Sequence, residues 1–235
     1  MKAFLLAAGL GTRLRPLTET VPKCLVPIGG RPLLSYWLEL LARHGVTDVL
    51  VNLHHLPDQV RRFAEQPGHP VRLTLTFERE LLGSAGTVVA NWSFVADEES
   101  FLIGYADNLT NADVSALLRF HRSHDAPLTM GLFRADDPRA CGIADVDERG
   151  VITSFVEKPE HPGSDLANAG MYAARPSLRR FLPTHAPADI GNDLLPRLVG
   201  SMRGTEVSGY IRDIGTWESY RKAEEDVAAG RFAIA

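Results

Sequence analysis

The chain has 235 residues, of which 45% are hydrophobic and 23% charged, with a formal net charge of −4. That length allows one large or two small domains with a sizeable core, and the mildly acidic balance argues against nucleic acid as a partner. Cys24 and Cys141 form neither a metal-ligand spacing nor a disulfide framework, which fits a reducing cytoplasm, and no apolar run approaches the ~18 residues of a membrane span.

The first element decides most of the reading. Lys2 to Ala7 is a short apolar run that suits a buried strand, and the start Met1-Lys2-Ala3 lacks a signal-peptide cleavage pattern. Ala8-Gly9-Leu10-Gly11-Thr12-Arg13-Leu14-Arg15-Pro16-Leu17-Thr18 follows, then Pro22-Lys23. Glycines straight after a strand let backbone N–H groups approach phosphate oxygens, and Arg13, Arg15 and Lys23 add positive charge beside them. Because the net charge is negative, a polyphosphate site must rest on these local cations. The bland alternative is a strand-to-helix turn with solvated cations. A dinucleotide fingerprint needs a glycine where Leu14 stands, and a P-loop needs a Ser or Thr after its lysine, where Lys23 is followed by Cys24.

A helix is expected from about Pro32, with Leu34, Trp37, Leu38 and Leu41 on one face and Gly45 at its end. Val49–Leu53 reads as a second strand, Pro57–Glu65 as a short helix, and Val71, Leu73, Leu75 and Phe77 as an alternating third strand. His54 and His55 sit on a loop and are read as solvated or hydrogen-bonded. Gly83-Ser84-Ala85-Gly86 offers small residues against which a flat group could lie, or else a tight turn opening a helix with Val88, Val89 and Trp92. Phe101–Asp107 is a nearly all-apolar fourth strand that ends in a carboxylate. Ligands in open α/β sheets bind at strand carboxyl ends, so Asp107 could ligate a hard cation or simply cap a turn.

Asp113–His121 reads as a helix and Pro127–Phe133 as a fifth strand. Strands alternating with helices predict a three-layer, Rossmann-like, mostly parallel α/β sheet. Gly142–Val146 and Val151–Glu157 flank Asp147-Glu148-Arg149-Gly150 and predict an added β-hairpin. A strand over Ala167–Tyr172, a helix over Ile190–Val199 and a last strand over Gly204–Ile211 follow. The closing helix runs from Trp217 to about Ala228, with Thr216 as its N-cap. No linker or repeat interrupts the chain, so residues 1–235 read as one domain.

Five blocks in this order resemble the sugar-1-phosphate nucleotidyltransferases: the Gly9–Thr18 loop with Lys23, Gly83–Gly86, Asp107, Glu157-Lys158-Pro159 with Asn168-Ala169-Gly170, and Asp213-Ile214-Gly215. The resemblance covers nearly the whole chain. It implies the GT-A-like fold of nucleotide-diphospho-sugar transferases. It also implies attack by a sugar 1-phosphate on the α-phosphorus of a nucleoside triphosphate, with release of pyrophosphate.

The matching positions carry roles with them. Leu6, Ala8, Gly9, Gly11, Thr12, Arg13, Lys23, Gly83, Ser84 and Gly86 would bind the nucleotide. Arg13, Lys23, Asp107 and Asp213 would be catalytic, with Asp107 and Asp213 holding Mg2+. Gly142, Glu157, Lys158, Asn168 and Gly170 would bind the sugar phosphate. Ala106, Cys24 and Asn108 depart mildly from the family pattern.

Glu80-Leu81-Leu82-Gly83-Ser84-Ala85-Gly86 looks more like guanylyltransferases for mannose or heptose 1-phosphate than like thymidylyltransferases, which favours GTP; UTP or dTTP with another sugar phosphate is the alternative. The chain closes soon after the Asp213 helix, which matches short members of the family. A membrane partner is not expected, and an apolar helix face leaves a homodimer open. Asp107-Asn108-Leu109 lacks the paired acids of a glycosyltransferase. A non-catalytic sensor should have lost Lys23, Asp107 or Asp213. A plain dinucleotide-binding domain should carry an acid at the end of Val49–Leu53, where His54 stands instead.

Overall fold

The computed structural model describes residues 1–233. They gather into two compact units, one made of Met1–Leu81, Gly104–Ala112 and the stretch from Gly209, the other of Leu82–Ile103 and Asp113–Ser208. Both are α/β, and the expected parallel strands and added hairpin are present. Among the described residues no helix is long and apolar enough to cross a membrane.

In the first unit the strand Lys2–Leu6 lies parallel to Asp48–Leu53, which lies parallel to Arg72–Phe77. The inner strands are largely apolar because both faces are covered, and Ala3, Phe4, Leu5, Val49 and Val51 are fully buried or nearly so. The helix Leu33–Arg43 buries Leu33, Leu34, Tyr36, Trp37, Leu38, Leu40 and Leu41. It stops where Gly45 takes a left-handed φ of 82°. A short antiparallel pair then joins two remote stretches, Asn108–Thr110 and Ile211–Asp213, with Asn108 opposite Asp213. The Trp37 indole donates to the Asn108 carbonyl at 2.7 Å, which fixes that pair against the helix. Thr216 caps the helix Trp217–Ala228, accepting from the Ser219 N–H at 3.2 Å.

In the second unit Leu128–Arg134 runs antiparallel to Leu166–Ala174 and parallel to Arg203–Glu206. The hairpin Gly142–Val146 and Ile152–Glu157 joins this sheet through Ala167 opposite Ile143. Asp147 closes its turn by accepting from the Arg149 and Val151 N–H groups. Asp113 caps the helix Val114–Arg122.

Four sequence expectations change. The strand Phe101–Tyr105 ends before Asp107, which occupies a turn. The single strand expected over Gly204–Ile211 is two strands, because Gly209 takes φ +117° and turns the chain between them. The helix expected over Ile190–Val199 is a π turn, Ile190–Leu194, followed by one α turn, Leu195–Leu198. Pro196 cannot donate to the ladder that would join them, and is tolerated only in a first turn. The helix Gly83–Ala90 stops short of Trp92, which lies in a 3₁₀ turn.

A buried polar chain sits inside the second unit. His121 Nδ1 lies 2.7 Å from Thr129 Oγ1, and His124 Nε2 lies 3.2 Å from the same oxygen. The Ala126 N–H donates to His124 Nδ1, so the His124 proton is assigned to Nε2 and Thr129 passes its own proton to His121. The surroundings favour the neutral form of both rings. Burial pushes His121 down to about 3, helped by Arg175, His124 and Arg122, and pushes His124 down as well, against the opposing pull of Asp125. A lowered histidine pKa contributes stability that is complete above about 6.5 and is lost as pH falls towards 3. Urea melts should therefore lose stability between pH 6.5 and pH 4.5. His121→Asn, which keeps an acceptor near the Nδ1 position, should flatten that slope.

Candidate active site

The cationic loop is held by its own backbone. Gly11 takes φ +63°, and its carbonyl accepts from the Leu14 N–H at 2.9 Å and from Thr18 Oγ1 at 2.7 Å. A Cβ on Gly11 would sit 2.8 Å from Thr18 Cγ2, so glycine is required there on two counts. Gly9 faces open space. Leu6 and Ala8 are buried. The Ala7 N–H donates to Asn52 Oδ1 at 2.6 Å, and the Asn52 amide donates to Glu78 Oε1 at 2.8 Å. His55 fastens the far side through the Thr18 carbonyl, a structural role in keeping with the sequence reading.

Thr12 and Arg13 lie on a single 3₁₀ turn, with the Arg13 side chain exposed. Lys23 is different. It is only 7% exposed, and its Nζ donates to Asp107 Oδ2 at 2.6 Å and to Asp213 Oδ1 at 3.3 Å. Burial alone would pull the ammonium pKa down, but the Asp107 and Asp213 charges and hydrogen bonds outweigh it, and the pKa is raised. Arg13 Nη2 reaches Asp213 Oδ2 at 3.8 Å. The four residues expected to share chemistry are thus together in one unit. Gly215 completes the cluster: its N–H donates to Asp213 Oδ1 at 2.7 Å, and a Cβ there would lie 2.7 Å from Arg13 Nη2.

The second unit holds the other predicted residues. Gly83, at φ +75°, passes so close to the segment after Pro187 that an added Cβ would lie 2.2 Å from the Ala188 carbonyl oxygen. That oxygen accepts from the Ala85 and Gly86 N–H groups. Ser84 Oγ donates to Asp189 Oδ2 at 2.7 Å and accepts from the Ile190 N–H at 2.7 Å. Asp189 also accepts from the Gly191 N–H at 2.8 Å. A Cβ on Gly191 or on Gly142 would lie within 2.8 Å of Glu157 Oε2, so both glycines leave space for that carboxylate. Burial raises the Glu157 pKa, Lys158 at 3.7 Å opposes this, and Asp189 adds to it. Lys158 itself takes φ +47°, which is uncommon for a residue with a side chain. Asn168 accepts from the Gly170 N–H at 3.0 Å and donates to the Tyr172 hydroxyl at 2.6 Å.

Sequence reasoning missed Asp189, Gly191, Asn52 and Glu78. The string Asp189-Ile190-Gly191 carries a helix-capping signal, but nothing in its spacing shows that the aspartate faces Ser84.

The first unit thus joins parallel strands, a glycine loop and a lysine held between two carboxylates. The nucleotidyl transferase family profile matches residues 2–230, and the chain belongs to that family. It is similar to a mannose-1-phosphate guanylyltransferase of Mycobacterium tuberculosis, 31% identical over 97% of this chain and 65% of that protein. It is also similar to a UTP–glucose-1-phosphate uridylyltransferase of Synechocystis, 33% identical over 86% of this chain and 56% of that protein. The chain thus spans under two thirds of the length of these relatives. Among solved structures, HddC from Yersinia pseudotuberculosis complexed with GMP-PN matches with a TM-score of 0.78 and 26% identity, over 96% of this chain and 99% of that one.

Two substitutions test this geometry. Lys23→Met leaves Asp107 and Asp213 facing each other without their counter-charge. Both carboxylates are partly exposed, so the expected loss is on the order of 1–2 kcal/mol, read as a lower urea midpoint. Gly83→Ala adds both a forbidden contact and a strained φ, and should lose about 2 kcal/mol or more by the same measurement.

Proposed function

We propose that residues 1–235 act as one sugar-1-phosphate nucleotidyltransferase domain. It transfers a nucleoside monophosphate, from GTP by preference, to a mannose- or heptose-type sugar 1-phosphate and releases pyrophosphate. The observation that carries this reading is Lys23, a buried ammonium held between two carboxylates beside a glycine loop. The reaction brings two anions together, so charge neutralisation and alignment are the main tasks. The incoming phosphate is ionised at neutral pH and needs no protein nucleophile.

The backbone of Gly9, Gly11 and Thr12, with Leu6 and Ala8, receives the triphosphate. Arg13 stabilises the departing pyrophosphate, since a fixed planar fork suits phosphate oxygens. Lys23 bridges the α-phosphate and the incoming phosphate. Gly83, Ser84 and Gly86 receive the base, while Gly142, Glu157, Lys158, Asn168 and Gly170 serve the sugar phosphate. These assignments follow the order of the motifs along the chain. Cys24 plays no chemical part: burial pushes its thiol up to about 12, and a reducing cytoplasm suits it.

Asp107 and Asp213 converge on a single cation, the Lys23 ammonium, and so fit Mg2+ as well. Among the described residues no cluster of three His, Cys, Asp or Glu side chains could hold a metal. The remaining ligands would be phosphate oxygens and water. Bound there, Mg2+ would neutralise phosphate charge.

The base preference is supported by the names of the Mycobacterium tuberculosis relative and of the GMP-PN complex. The Synechocystis relative supports UTP as the second reading. Pyrophosphate release should be measured with Mg2+ for each nucleoside triphosphate against mannose, heptose, glucose and N-acetylated sugar 1-phosphates. Release with GTP and a manno-configured phosphate is the expected result. Release only with UTP or dTTP keeps the reaction and replaces the base. Nucleotide binding without release from any pair overturns the enzyme in favour of a sensor. Lys23→Met and Asp107→Asn should each lower kcat roughly a hundredfold or more.

A further inference from the structure

We infer that Trp217 is a positioning residue for the cationic loop, an inference that rests on the reading of that loop as the triphosphate site. Its indole Nε1–H donates to the Arg15 carbonyl at 2.9 Å, across 202 positions of sequence. That carbonyl is two residues from Arg13. Trp217 is also the first residue of the helix Trp217–Ala228, four positions after Asp213. One helix start therefore sets both the carboxylate on Lys23 and the loop that carries Arg13.

Trp217 ties the loop on one side, as His55 does on the other through the Thr18 carbonyl. The hydrogen bonds from Leu14, Arg15 and Thr18 to Gly11 and Thr12 are internal to it and fix its shape, not its place. The Arg13–Asp213 pair is 3.8 Å long with both side chains more than half exposed, the kind of contact that holds little. Trp217 is itself firmly seated. Its ring meets Tyr220 edge-on at 5.7 Å, and Arg221 lies 5.8 Å from its centroid. Tyr220 in turn donates to the Pro27 carbonyl at 3.1 Å. Trp217 packs against the buried cluster of Leu14, Ile28, Leu109 and Ile214. The indole N–H is the part of this side chain that reaches the loop backbone.

The same geometry makes Trp217 a reporter. Trp37 and Trp92 are 2% and 6% exposed, so both are shielded from water, whereas Trp217 is half-buried. A triphosphate that orders the loop should change Trp217 emission.

The test compares Trp217→Phe, which keeps a ring and removes the donor, with Trp217→Ala, which removes both. Both variants should raise KM for the triphosphate about fivefold to tenfold, the range expected for one hydrogen bond. KM for the sugar 1-phosphate should stay within about twofold. Trp217→Phe should melt within about 2 °C of the parent chain. Adding Mg2+ and GTP or UTP should change tryptophan emission in the parent chain but not in Trp217→Phe. A Trp217→Phe variant with parental KM, or one that keeps the emission change, overturns the inference and leaves packing as the role of the ring. A parent chain that neither binds nor turns over any triphosphate overturns the reading of the loop itself.

Discussion

One buried ammonium organises the first unit. Lys23 cannot sit in the protein interior as a bare charge, because losing its hydration would shift it to the neutral form. Asp107 and Asp213, 84 and 190 positions away, supply the compensation. The fold must therefore bring together three remote stretches of chain. It does so with the short pairing of Asn108–Thr110 to Ile211–Asp213, locked by the Trp37 indole on the Asn108 carbonyl. The same cluster is the observation on which the proposed function rests.

Glycine works differently in the two units. In the cationic loop Gly11 supplies a left-handed turn, and Gly215 leaves room for the Arg13 and Asp213 side chains. In the second unit Gly83 allows two backbone segments to touch, while Gly142 and Gly191 leave a slot filled by the Glu157 carboxylate. Asp189 connects these features, holding Ser84 with one oxygen and the Gly191 N–H with the other. Its charge also helps raise the Glu157 pKa.

Much of the fold was legible in the chain. The apolar runs of Lys2–Leu6 and Asp48–Leu53, the amphipathic Leu33–Arg43 and the turn at Asp147–Gly150 are local patterns, and each formed as expected. The misreadings fell where a single residue overrides a pattern. Gly209 breaks an otherwise continuous strand, and Pro196 interrupts a helix whose leucines are properly spaced. In the candidate site, Arg13, Lys23, Asp107 and Asp213 were singled out by short motifs that resemble the family, and the structure brings those four side chains together. Asp189, Asn52 and Glu78 were not singled out, since each acts through a hydrogen bond to a residue at least 26 positions away.

The sequence by itself determined the parallel α/β character, the cationic glycine loop and the order of the motifs, because these depend on periodicity and on short strings of residues. Only the tertiary structure decided that Lys23 is buried between two particular carboxylates, that Gly191 and Gly142 make room for Glu157, and that Trp217 reaches Arg15. Those are matters of distance between remote positions. Distance is set by how strands pair and helices pack, which local propensity does not encode.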